Sequence, residues 1–139
     1  MSQNGETLTS RDVVRNWREG GRPFEAGGLT SFVAEAGSGE PVLCLHGVPT
    51  SSFLYRKVLA ELSELGLRGM AIDLPGLGFA DRPAEFDYSW TGLGRFCVAA
   101  VDALGLERFH LVVHDVGGPV GFELAAAVPE RVASLTVLD

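Results

Sequence analysis

Lysine is almost missing from this chain: Lys57 is the only one, and 139 residues carry a formal net charge of -7. Such a surface repels phosphate backbones and anionic lipid, so neither nucleic acid nor a membrane surface is expected as a partner. Cysteine is scarce as well. Cys44 falls in an apolar run and Cys97 on the apolar side of a helical pattern, which suits two reduced thiols of a cytoplasmic protein, and neither has metal-ligand spacing. No stretch approaches the ~20 apolar residues of a bilayer span, and Met1 to Glu6 lacks a basic region followed by an apolar run. The cytoplasm is therefore the default compartment. No repeat, low-complexity tract or linker interrupts the chain.

What is present is apolar content of 46% in a length of about one domain, enough to bury roughly two thirds of the unfolded surface. Residues 1–21 read as an amino-terminal arm in which Thr9 or Ser10 caps a short helix stopped by Gly20 and Gly21, and residues 22–139 read as the core. Two short strands, Pro23 to Ala26 and Thr30 to Ala36, flank Gly27-Gly28 as a hairpin. Pro41 to Leu45 is an unbroken apolar run, as in a strand covered on both faces, and it ends in His46-Gly47-Val48-Pro49.

Thr50, Ser51 or Ser52 then caps a helix with Leu54, Val58, Leu62 and Leu65 on one face. Arg68 to Leu74 is the next strand, and Leu93, Phe96, Cys97, Ala100, Val101 and Leu104 mark the next helix. Phe109 to Val113 reads as a central strand, Gly117-Gly118 as a sharp turn, and Val120, Leu124 and Val128 as the helix beyond it, followed by a last strand over Val132 to Leu138. Strand and helix alternate three times after the hairpin, which predicts a mostly parallel α/β sheet with helices on both faces. Ligands bind at the carboxyl ends of such strands, where His46-Gly47-Val48, Asp73, Asp115 and Asp139 all fall.

Asp115 is the reactive group of greatest interest. It stands between a strand end and a helix start, flanked by small residues, where a tight turn forces a strained backbone and pushes the side chain outward. The amino end of the following helix favours an ionised carboxylate there. The plainer alternative is a helix cap. Esterases use the same turn with serine in the middle.

The set His46-Gly47-Val48-Pro49-Thr50-Ser51-Ser52, Asp73-Leu74-Pro75-Gly76-Leu77-Gly78, His114-Asp115-Val116-Gly117-Gly118 and Pro129-Glu130-Arg131-Val132 resembles the α/β-hydrolase superfamily, specifically its aspartate-nucleophile branch of haloalkane dehalogenases, epoxide hydrolases and fluoroacetate dehalogenases. The resemblance runs from about Pro23 onward. It implies that Asp115 attacks an electrophilic carbon to form an ester that water then splits. It implies an oxyanion hole from the backbone N–H groups of Val48 and Val116, with His46 and Gly47 supporting the loop. Asp139, 24 residues after Asp115, matches the place where some of these enzymes keep the carboxylate that orients the catalytic histidine. In others that acid comes from a later strand. Asp73 is expected to brace the Pro75-Gly76 turn.

The family's general base is a histidine after the last strand, and no histidine here takes that place: His46 belongs to the loop, His110 lies at the opposite end of its strand, and His114 is expected to point away. The lid and the last two strands of the family fold are not in these residues either. The chain is therefore expected to be the amino-terminal part of a longer hydrolase, truncated before those elements. It is expected to be inactive alone, with an open edge along Val132 to Leu138, and a second polypeptide is one way to complete it.

Substrate expectations are a small apolar organic molecule, either an epoxide or a haloalkane. Valines 48 and 116 stand where dehalogenases carry side-chain N–H donors for the halide, so epoxide ranks slightly ahead. Tyr55 and Tyr88 are expected to pack rather than act. No metal and no organic cofactor are implied. The alternatives are a catalytically silent α/β-hydrolase-like binding or assembly module, half of a split enzyme and, lower, an ester or lactone hydrolase.

Overall fold

A computed structural model describes residues 7–139. The opening helix α1 (Ser10–Gly20) starts at Thr9, whose hydroxyl accepts from the Asp12 N–H while the Asp12 carboxylate accepts from the Thr9 N–H. This reciprocal cap contributes about 1 kcal/mol to a helix too polar to hold its shape by burial alone. Strands β1 (Arg22–Ala26) and β2 (Leu29–Ala36) form the expected hairpin. Gly27 and Gly28 both have positive φ, 59° and 78°, the backbone of a two-residue hairpin turn that residues with a Cβ rarely supply.

The chain continues through β3 (Pro41–Leu45), α2 (Arg56–Glu64), β4 (Arg68–Ile72), α3 (Trp90–Ala103), β5 (Phe109–His114), α4 (Gly117–Ala127) and β6 (Val132–Leu138). Their sheet order is β1-β2-β4-β3-β5-β6. The hairpin joins it antiparallel through β2 and β4, and the remaining pairs are parallel. Several ends shift by a residue, and two boundaries near the candidate site differ from the sequence pattern for a visible reason. The segment before α2 is a short 3-10 turn, Ser52–Tyr55, because Ser51 caps through Phe53 N rather than opening an α-helix. The strand expected to reach Leu74 stops at Ile72, because Asp73 turns its carboxylate to the neighbouring loops.

Alternating side chains divide the core between the two faces. Leu43, Leu45, Met70, Ile72, Leu111 and Val113 pack under α3 and α4, while Val42, Cys44 and Ala71 pack with Tyr55 and Leu59 beside α2. Tyr55 is buried, and its hydroxyl donates to Leu45 O at 2.7 Å, so it packs as expected. Tyr88 is more exposed, 4.9 Å from the Phe86 ring, with its hydroxyl on Pro83 O. Both cysteines are buried free thiols pushed up to about 12 by burial.

Strand β6 pairs with β5 alone among the described residues, and Leu135, Val137 and Leu138 are exposed along it, which is the open edge expected from sequence. No helix among the described residues is long and apolar enough to cross a membrane.

Candidate active site

The turn between β5 and α4 is set by close approach. Asp115 has φ 54°, the one positive φ outside glycine among the described residues. Left-handed backbone costs a non-glycine residue about 1–3 kcal/mol, held here by the surrounding packing. Gly117 sits so tightly under the end of β3 that a Cβ there would lie 2.6 Å from Leu45 O and 2.7 Å from His46 O. A Cβ on Gly121 would collide with the Val113 side chain, so α4 can lie close on β5 only with glycine at that position.

The Asp115 carboxylate stands exposed and accepts the Val48 N–H at 3.0 Å. It does not cap its helix: α4 begins after Val116 with no side-chain cap bond. The Val48 and Val116 amides, in that order, hold the Asp115 carboxyl below the usual carboxylate range, with a smaller contribution from the charge of His114. The loop of Val48 and the turn of Asp115 are thus one unit, and Gly47 is the point where they pack closest. A Cβ on Gly47 would lie 2.6 Å from Asp115 Oδ2.

His46 is fully buried, and its Nε2 accepts the Leu74 N–H at 3.0 Å while Nδ1 lies 2.8 Å from Gly47 O. The accepting Nε2 assigns the ring proton to Nδ1. Burial lowers the pKa of His46, opposed by its bond to Gly47 O and by Asp73, and a neutral ring pinned at both nitrogens supports the loop.

Asp73, also buried, accepts from Ser52 N at 2.7 Å and from Phe79 N at 2.8 Å, while Ser31 Oγ donates to its main-chain oxygen at 2.6 Å. It ties together the loop after β3, the loop after β4 and β2. This is wider bracing than the single turn expected for it. Trp17 joins the same assembly by donating from Nε1 to Ser52 Oγ at 3.0 Å. Neither link leaves a trace in sequence periodicity.

Asp139 follows β6, whose register sets Leu138 beside His114, so the two aspartates lie just beyond the ends of neighbouring strands. No hydrogen bond joins Asp139 to a histidine among the described residues. His110 lies at the far end of β5, bonded to Ser134 and Glu40. His114 is half-buried on the α2 face, with Nδ1 buried and unpaired. A cleft of about 530 Å³ begins at Pro49 and runs past Phe53 and Leu77 to Arg82, and Asp115 is not on its wall. No cluster of metal-ligating side chains occurs among the described residues.

A mostly parallel sheet, a strained strand-to-helix turn and a loop packed against it at a glycine define the α/β-hydrolase architecture. Residues 40–139 match the family model for the alpha/beta hydrolase fold, and the chain belongs to that family. It is 35% identical over 134 residues to a haloalkane dehalogenase of Agrobacterium fabrum, covering 95% of this chain and 43% of that protein. It is 39% identical over 102 residues to a haloalkane dehalogenase of Mycolicibacterium paratuberculosis, covering 73% and 34%.

Among solved structures, an epoxide hydrolase from Vigna radiata superposes with TM-score 0.82 at 36% identity over 86% of this chain and 39% of its own. A haloalkane dehalogenase from Agrobacterium tumefaciens superposes with TM-score 0.77 at 36% identity, covering 84% and 40%. The chain thus spans less than half the length of these relatives.

Proposed function

We propose that Asp115 is the nucleophile of a hydrolase that forms an aspartyl ester with a small apolar epoxide or haloalkane. The observation that carries this reading is the geometry of Asp115: a left-handed residue whose ionised, exposed carboxylate engages an amide of the neighbouring loop instead of capping its own helix. An ionised oxygen attacks carbon, opening the epoxide or expelling halide, and water then cleaves the ester at the aspartyl carbonyl. Negative charge developing on that carbonyl oxygen is received by the Val48 and Val116 amides, which already flank the carboxylate.

Epoxide stands ahead of haloalkane because Val48 and Val116 offer no side-chain donor to a departing halide. Asp139, beside the end of β5, serves to orient the imidazole that activates water. That imidazole is neither His46 nor His110, whose ring nitrogens are engaged elsewhere, nor His114, whose Nδ1 is buried and bonded to neither aspartate among the described residues, and we assign it to a segment outside these 139 residues, on the same or a second polypeptide. The two buried free thiols support a reducing compartment such as the cytoplasm.

Single-turnover reaction in heavy-oxygen water tests the proposal on the protein that carries this sequence, with an epoxide and a bromoalkane assayed in parallel. Diol or bromide with heavy oxygen in Asp115 is the expected result. Product without label in Asp115 removes it as nucleophile. Neither product from either substrate favours a silent binding module, a reading supported by the absence of an imidazole bonded to Asp115 or Asp139 among the described residues.

A further inference from the structure

At the end of the sheet opposite Asp115, three side chains from three separate segments form a line of hydrogen bonds. Ser134 Oγ on β6 lies 2.7 Å from Nδ1 of His110 on β5, and Nε2 of the same ring lies 2.7 Å from Oε2 of Glu40, just before β3. A carboxylate only accepts, so in the neutral ring the proton sits on Nε2 and Nδ1 is left to accept the serine hydroxyl. Nucleophile, base and orienting acid in that order are the arrangement that activates a hydroxyl.

The ladder itself is adjusted to bring this about. Phe109 pairs with Val132 but His110 pairs with Ser134, so one extra residue of β6 is taken up between them. In even register Ala133 would stand opposite His110. Bulges of this kind re-aim side chains, and they are uncommon between parallel strands. Beside the ring lies a cavity of about 150 Å³ walled by Glu40, Pro41, Arg108, Phe109, His110 and Ala133; Ser134 is not on its wall and reaches it only through the His110 ring. It has room for a short acyl group. Arg108 has no carboxylate within ion-pair distance among the described residues, so its positive charge in that cavity is not neutralised by a neighbour.

We propose that Ser134 is a second nucleophile, with His110 as its general base and Glu40 as a positioning carboxylate, and that it takes acyl groups from small activated carboxylic esters. The Ser134 proton passes to His110 Nδ1 as the Oγ–C bond forms. The ester C–O bond then breaks and the leaving oxygen takes the proton back from His110. Water reverses the sequence, giving acid and alcohol overall with no redox change. This chemistry is independent of Asp115 and requires no halide or epoxide.

The test is reaction of the protein with p-nitrophenyl acetate and, separately, an alkyl fluorophosphonate, reading the nitrophenolate burst and the mass of the peptide carrying Ser134. A stoichiometric burst with the adduct on Ser134 is expected, and Ser134→Ala abolishes both. His110→Gln slows acylation about 100-fold, within the usual range for a general base. Glu40→Gln slows it only about threefold, because that carboxylate is largely solvated. Circular dichroism verifies that each variant is folded. No adduct on Ser134, or an adduct formed at the wild-type rate in folded His110→Gln, overturns the proposal and leaves the three residues as a fastening between strands. Because the readout is located on Ser134, its failure and that of the Asp115 ester are separately visible.

Discussion

The Val48 N–H and the Asp115 carboxylate, 67 residues apart in sequence, meet at 3.0 Å and make one structural unit of two loops. In the proposed reaction, the amide that steadies the carboxylate also receives the charge that develops on it when water splits the ester. Replacing Asp115 by Asn tests what the charge contributes, since asparagine also tolerates left-handed backbone. Turnover of epoxide and bromoalkane is expected to fall about 10⁴-fold or more, as for loss of a nucleophile elsewhere. Thermal unfolding, measured alongside, is expected to shift little.

Two adjacent glycines should respond in opposite directions. Gly117→Ala drives a methyl group against the carbonyl oxygens of Leu45 and His46, and overpacking of this kind costs about 1–3 kcal/mol. A Cβ on Gly118 meets nothing within 4 Å, so Gly118→Ala should be neutral or stabilise by about 0.5–1 kcal/mol through helix propensity. Urea unfolding of both variants separates the two effects.

Acid should weaken the fold through His46 before it affects Asp115. The pKa of His46 is lowered by burial, so below its usual value of 6.5 the unfolded chain binds a proton that the folded one refuses. Stability is therefore full above that value and falls with pH below it. Asp115 is also lowered, from 3.8, so its contribution is present above that value and lost as pH falls through its folded value. Urea midpoints taken between pH 8 and pH 5 should decline on the acid side, and His46→Gln should flatten that decline while lowering stability throughout.

The two thiols should be silent. Burial raises both Cys44 and Cys97 to about 12, so at pH 8 a thiol-specific chromogenic disulfide should react with neither in the native protein and with both in urea. Rapid labelling of one of them under native conditions would show that its side of the core opens.

Local physics made much of the fold legible in advance. The Gly27-Gly28 turn, the apolar β3 run and the Val132–Leu138 strand are each set by neighbours in sequence, and the structure has all three. The position of Asp115 at a tight bend was readable from the small residues around it. The reach of Asp73 to Ser52 and Phe79, the seat of Trp17 on Ser52 and the meeting of Ser134, His110 and Glu40 were not, because each depends on how distant loops or strands register. Periodicity carries no record of such meetings. Family resemblance alone marks Asp139, and the structure puts it just beyond β6 with no histidine bonded to it among the described residues.

The docking of Trp17 turns the opening helix into an optical reporter. Its indole is bonded to Ser52, with the Phe53 ring 5.3 Å away edge-on, whereas Trp90 is 57% exposed and emits as a solvated indole. Emission from Trp17 will therefore be blue-shifted relative to Trp90. It will move to the red whenever the loop carrying Ser52 parts from the helix, so a change of colour reads out loop motion without an added dye.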